Sequence, residues 1–260
     1  MQVTNNASRL FQLALLLAFM AMLWAPLGQL EFLAFHWMKI GTFMAPIVVF
    51  LAFKFRERSS GPMFEDVTFM AMLFAAAYFI HQYEEHWINL LGETYPLLHE
   101  LNSLLAAVLG EDKYGIMTRE AIFYINTGTV WATALVAIWA SPRLVFPSMA
   151  MAGIMAVNGF AHVMVALRTF SYNSGLLTGL VIFLPLVIVF FRALSKSGKA
   201  TRSMIIAAIG WGVLGHVVLF GGLFLANVMA VIPVSLYYGV LIGLGFAPLL
   251  LYRHAGAGHD

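Results

Sequence analysis

Apolar residues fall in long, nearly uninterrupted stretches, and the breaks between them carry the charges, prolines and glycines. The stretches run over residues 10–28, 35–53, 67–91, 120–140, 145–167, 176–191, 203–229 and 234–252. Each approaches the roughly 20 apolar residues that a helix needs to cross the hydrocarbon core of a bilayer. The pattern therefore predicts an all-α, polytopic membrane protein with eight spanning helices in one bundle. Two connections are long: residues 92–119, with an apolar run of their own at 97–109 that fits a surface or re-entrant helix, and the basic link 192–202. Pro46, Pro185 and Pro248 lie inside predicted spans and are expected to kink them. Gly175/Gly179 and Gly239/Gly243 have the small-xxx-small spacing that lets helices approach closely. No internal repeat suggests an inverted-repeat carrier, and residues 1–260 read as a single helical transmembrane domain.

Composition narrows the class. Of 260 residues, 62% are hydrophobic and 10% charged, where a soluble domain is about half apolar and a quarter charged. Neither a soluble globular protein nor a disordered tail fits those values. A net charge of +2, with no Lys/Arg run interleaved with aromatics, removes nucleic acid as a partner. The chain has no cysteine, so disulfides, thiolate ligands and a cysteine nucleophile are excluded, and a metal would have to sit on histidine and carboxylate. The first stretch follows Arg9 but ends without a small-x-small cleavage site, and it reads as a first span.

Orientation follows from the basic residues, because short positive loops stay cytoplasmic. With the N-terminus inside, one side collects Arg9, Lys54, Arg56, Arg58, Arg143, Arg192, Lys196, Lys199, Arg202 and Arg253. The other keeps Lys113, Arg119 and Arg168 amid Glu93, Glu100, Glu111 and Asp112. Both termini are thus expected in the cytoplasm. Lys39, near the outer end of the second span, is expected to snorkel or to pair with Glu31.

Ionisable groups within the spans point to chemistry, since each costs at least about 2.5–3.5 kcal/mol in hydrocarbon unless compensated. The third span carries four of them close together in Phe79-Ile80-His81-Gln82-Tyr83-Glu84-Glu85-His86-Trp87. At about 100° per residue, Glu84 lies near −60° and Glu85 near +40° from His81, so the three share a face. His86 belongs with Gln82 and Asn89 on the adjoining stripe. Imidazole and carboxylate at this spacing can hold a metal ion or pass a proton, although the pattern is not the H-x-x-E-H of zinc peptidases. The fifth span adds Asn158 and His162 on one face, at the same predicted outer depth. The fourth begins there with Arg119, Glu120, Tyr124, Asn126 and Thr127, and His36, His99 and Glu100 are within reach. His216, by contrast, reads as a hydrogen-bonded histidine packed among glycines. His254 and His259 read as solvated, and Met151 and Met155 as packing.

His81-Gln82-Tyr83-Glu84-Glu85 resembles the family of multi-span membrane proteins named for its HXXEE motif. So do Arg119-Glu120 with Asn126, Asn158-Gly159-Phe160-Ala161-His162, and Ser171-Tyr172-Asn173-Ser174-Gly175 with Thr178. The likeness spans about residues 67–190 and implies a fold but no activity.

From the residues themselves, the leading reading is a metal-dependent membrane enzyme. His81, Glu84, Glu85 and His162 are the expected ligands of a divalent transition metal (iron, zinc or manganese), and the several carboxylates would allow two ions. Glu84, Glu85, His86 and Glu120 are the expected catalytic groups, with Asn126, Asn158, His99, Arg119 and Tyr124 around the ligands or the substrate. A lipid-like or apolar substrate would be hydroxylated or desaturated if the metal is iron, with room for a redox partner, or hydrolysed if it is zinc. A metal-free Glu/His acid-base isomerase and a cation- or proton-coupled transporter are the alternatives. The charge asymmetry carries the first prediction: reporter fusions at Ser197 and in the Gly110 loop are expected on opposite sides of the membrane, and the same side for both would overturn the topology.

Overall fold

The computed structural model describes residues 29–56 and 61–250. The first predicted span, Arg9, Arg58, Arg253, His254 and His259 lie outside the described residues. Within them the chain folds into eight helices: α1 Glu31–Phe55, α2 Val67–His86, α3 Pro96–Leu109, α4 Arg119–Ala140, α5 Phe146–Thr169, α6 Leu176–Lys196, α7 Arg202–Val228 and α8 Val234–Leu250. No strand forms among the described residues; the nearest feature is an isolated antiparallel bridge between Ile88 and Thr94. Five helices, α1, α4, α5, α6 and α7, are long and apolar enough to cross a membrane, and α8 is a shorter apolar helix. The run at 97–109 is α3.

Side-chain caps start three of these helices. Asp66 accepts from Phe69 N at the start of α2, Thr118 from Ala121 N at α4, and Thr201 from Met204 N at α7, each satisfying one of the backbone donors that an α-helix leaves free. The third predicted span, 67–91, stops short as a helix at His86. Asn89 is the reason: its Oδ1 accepts from Leu91 N and Glu93 N, both at 3.0 Å. Capture of backbone donors by a short amide side chain ends a helix in a turn, and Gly92 completes the turn at φ +79°.

The prolines act differently from one another. Pro185 follows a π-turn at Gly179–Phe183 within α6, where the widened backbone accommodates the missing N–H. Before Pro248 the backbone of α8 leaves regular helix at Ala247. α1 stays helical through Pro46.

The core lies along α2, whose Phe69, Met70, Ala71 and Phe74 are all but inaccessible and pack with Met149, Met151 and Met155 of α5 and Phe183 and Phe190 of α6. α2 is thus the centre of the bundle, enclosed by the other helices. The two ends of the bundle are chemically distinct. At one, Lys199 Nζ donates to Glu65 O at 2.9 Å, joining the link after α6 to the segment before α2. At the other, Glu100 of α3 accepts from Ser174 N at 3.0 Å and Tyr172 Oη from Leu90 N at 3.3 Å. Lys39 pairs with the face of Trp87, 5.0 Å from the ring centroid, and not with Glu31.

Glycine sets the closest helix contact, but not at the spacing expected from Gly239/Gly243, where an added Cβ would meet nothing within 4 Å. The contact is between α5 and α7. A Cβ on Gly153 would overlap the Ala208 carbonyl, and one on Gly212 the Gly153 carbonyl. Gly159 and Gly179 make a similar approach between α5 and α6. Gly153→Ala is therefore expected to destabilise the protein by about 1–3 kcal/mol through overpacking, seen as a lower midpoint of thermal unfolding in detergent, while Gly239→Ala leaves it unchanged.

Candidate metal centre

Three helices deliver polar groups to one point near the α3 end of the bundle: α2 through its last turns, α5 through His162, and α6 through its N-terminus. His81 Nε2 lies 3.3 Å and His162 Nε2 3.0 Å from the same oxygen, Glu85 Oε1. His86 Nε2 is 3.4 Å from the other, Oε2. The ligand atoms of His81, Glu85 and His162 lie within 4.8 Å of one another, a group that could hold a metal ion. His81 is fully buried, and its ring packs against Phe183 at 4.3 Å between centroids and against His162 at 5.2 Å.

The second nitrogen of each imidazole is engaged, and that determines what the first one can do. Asn173 Nδ2 donates to the His162 backbone carbonyl at 3.0 Å, which turns Asn173 Oδ1 toward His162 Nδ1 at 2.8 Å. Nδ1 of His162 is therefore the protonated nitrogen. The Thr178 hydroxyl donates to Glu84 Oε2 and so accepts, at 2.7 Å, from His81 Nδ1. With Nδ1 the donor, a neutral ring turns the lone pair of Nε2 toward a carboxylate oxygen that also only accepts, whereas an imidazolium would donate to it from Nε2. Nε2 of His81 and Nε2 of His86 have no aligned hydrogen-bond partner despite their burial. Positive charge must therefore join the rings to Glu85, as a ring proton or as a bound cation, and the donor set of two imidazoles and one carboxylate fits a divalent transition metal.

Glu84 lies elsewhere. Its carboxylate accepts from Tyr172 Oη at 2.7 Å, Leu177 N at 3.1 Å, Thr178 N at 2.8 Å and the Thr178 hydroxyl. It caps the N-terminus of α6, where free N–H groups and the helix dipole favour an anion. The 100° between adjacent helical positions sends Glu84 to α6 and Glu85 to α5. Tyr172 lies in the loop between α5 and α6. Burial, and then its bond to Glu84, push its phenol up from the usual range, so it stays a neutral donor.

That loop closes the centre. Gly175 has φ +89°, and a Cβ there would come within 2.7 Å of His162 Cε1, 2.8 Å of His81 Cε1 and 2.9 Å of Glu85 Cγ. Only glycine fits both the backbone and the space.

The remaining residues singled out in the sequence do not converge on this point. Asn126 accepts from Gln82 Nε2 at 3.0 Å, and Gln82 Oε1 accepts from Trp131 Nε1 at 2.8 Å, a buried tie between α2 and α4. Asn158 is half-buried, and its Oδ1 has no hydrogen-bond partner. Glu120 and His99 are exposed, the latter 3.5 Å from the Tyr114 hydroxyl. Tyr124 stacks on Tyr238 at 4.8 Å. Arg119 lies between the rings of Phe35 and Tyr95. His36 packs edge-on to Phe32, and His216 Nδ1 bonds the Gly212 carbonyl at 2.8 Å. Met151 and Met155 are core residues. Asn173 and Gly175 were legible only within the run Ser171 to Gly175, and Thr178 beside it, as parts of the family resemblance.

Residues 72–190 match the family described as proteins of unknown function with an HXXEE motif, which upholds the resemblance read from His81, Glu84 and Glu85. No curated protein and no solved structure matches the chain.

Thr178 is the joint between the Glu84 cap and His81. Thr178→Val removes a donor from a buried carboxylate and the acceptor from His81 Nδ1, and is expected to cost about 1–3 kcal/mol. Thr178→Ser is expected to be close to neutral, with thermal unfolding of both variants as the measurement.

Proposed function

We propose that this protein is a membrane-embedded metalloenzyme whose single divalent transition metal is held by His81, Glu85 and His162 and whose substrate is lipid-like. The observation that carries the reading is the pair of Nε2 atoms facing one Glu85 oxygen, each on a ring whose Nδ1 is already engaged. One ion fits better than two, because the second carboxylate, Glu84, is consumed as a helix cap. Two imidazoles and a carboxylate are a donor set for non-haem iron and for catalytic zinc. When bound, the ion would supply redox chemistry with an electron-donating partner if iron, or Lewis acidity for hydrolysis if zinc.

The chain's own residues divide the remaining work. Asn173 and Thr178 hold the Nδ1 protons, orient both rings and raise their basicity. Phe183 covers one side of His81, and the Tyr172–Glu84 bond pins the loop that keeps water from the centre. His86, on the far oxygen of Glu85, is placed to accept or return a proton at Nε2. The same His86–Glu85 contact supports a second reading, a metal-free acid-base isomerase. The basic end of the bundle is assigned to the cytoplasm, as are both termini, on the charge rule alone.

Elemental analysis of protein purified after growth with iron, zinc and manganese decides between the two. The expected result is one equivalent of one of these metals in the wild type, lost in folded His81→Ala, Glu85→Gln and His162→Ala. Thr178→Val is expected to weaken binding by about 10–100-fold. Wild-type protein free of metal under those conditions would overturn the metalloenzyme and leave the isomerase.

A further inference from the structure

Beside the metal centre lies a small cavity between α1, α2, α3 and α4. Trp37, Met38, His86, Tyr95, Arg119 and Ile122 line it. Its wall is apolar except for His86 and Arg119. His86 connects the two places, since it lines the cavity and its Nε2 lies 3.4 Å from Glu85 Oε2.

Arg119 is unusual for a cation in an apolar bundle. Its guanidinium carbon sits 3.8 Å from the Phe35 ring centroid and 4.2 Å from that of Tyr95, in the corner formed by two rings that stand nearly perpendicular, 84° apart. Among the described residues it makes no ion pair and no hydrogen bond, and its neighbour Glu120 points to solvent. The clamp around it is built, not incidental. Tyr95 holds a left-handed backbone at φ 52°, a conformation that a bulky residue keeps only under the constraint of its surroundings. Its hydroxyl donates to Phe35 O at 3.3 Å, tying the two rings to each other. The rings offer the guanidinium no hydrogen-bond acceptor, and its five N–H donors lie in a plane shaped to receive a carboxylate or phosphate.

We infer that this cavity binds the oxyanion end of an amphipathic molecule. The Arg119 N–H groups take the carboxylate or phosphate, the adjoining methylenes lie outside the cavity, which has room for little more than one small polar group, and His86 stands on the wall toward Glu85. The inference rests on the reading above for what happens next to the ligand, but anion binding itself needs no metal. The oxyanion could arrive on a lipid or as a free ion, and the probes separate these sources.

The test is equilibrium binding to the full chain in detergent, followed by tryptophan fluorescence because Trp37 lines the cavity, with Trp37→Phe as the control for signal origin. Octyl phosphate is expected to bind saturably and at least about ten-fold tighter than octanol, the margin of a charge-assisted contact. Arg119→Gln should abolish that margin and Arg119→Lys keep part of it. Ala34→Leu, which fills the cavity from α1, should weaken octyl phosphate binding with Arg119 intact. Competition by inorganic phosphate would assign a soluble oxyanion, and its failure an anion carried on a chain. Equal binding of octyl phosphate and octanol overturns the proposal, as does unchanged octyl phosphate binding in Arg119→Gln or, if that variant does not fold, in Ala34→Leu. Selective anion binding by a wild type that takes up no metal would sink the metalloenzyme and spare this site; metal without anion binding would do the reverse.

Discussion

A carboxylate oxygen faced by the Nε2 atoms of two imidazoles is the constraint around which this structure is organised. Asn173 and Thr178 hold a proton on Nδ1 of each ring, so His81 Nε2 and His162 Nε2 stabilise Glu85 Oε1 only where further positive charge joins them. In water the three groups would separate or be solvated. Inside an apolar bundle, where charge is costly and poorly screened, they need positive charge at their common point. A proton on one ring could bridge a single contact. A divalent ion would satisfy all three, which is why the arrangement is read as a metal centre.

The surroundings hold that set in place by engaging the polar groups beside it. Glu84 faces four donors at the head of α6, so a second negative charge at the same depth adds stability to a helix terminus and does not compete for the centre. Gln82 is engaged by Asn126 and Trp131. The loop from Ser171 to Gly175 contributes the hydrogen bond that sets one imidazole, the phenol that pins Glu84 and the bare backbone that lets the rings meet. The packing of α5 on α7 at Gly153 and Gly212 and on α6 at Gly159 and Gly179 acts at longer range, since it fixes where α5 can carry His162.

Much of the scaffold was legible because a bilayer demands it. A helix in lipid must satisfy its backbone internally and present apolar side chains outward, so seven of the eight predicted spans appear as helices among the described residues, and the run at 97–109 appears as α3. His81, Glu85 and His162 could be grouped in advance because helical periodicity places the first two on one face and loop charge places the third at their depth. Glu84 shows the limit of that argument. Its angular position was compatible with the centre, but a side chain 100° from its neighbour is free to meet a different helix, and which helix stands there is not written in the local pattern. Asn89 likewise ended α2 early through side-chain bonds to Leu91 and Glu93, which hydropathy does not register.

The amino-acid sequence by itself determined the all-helical membrane class, the absence of thiolate chemistry, the separation of a basic from an acidic end, and the presence of imidazole and carboxylate at one depth. These follow from periodicity, composition and the energetic cost of charge in lipid, all of them properties of the chain read locally. Only the tertiary structure decided which carboxylate faces the histidines, which nitrogen of each ring carries the proton, that Arg119 sits between two aromatic rings, and that Gly175 closes the centre. Those depend on contacts between residues as far apart as His81 and Thr178, and contacts at that separation are set by how helices pack.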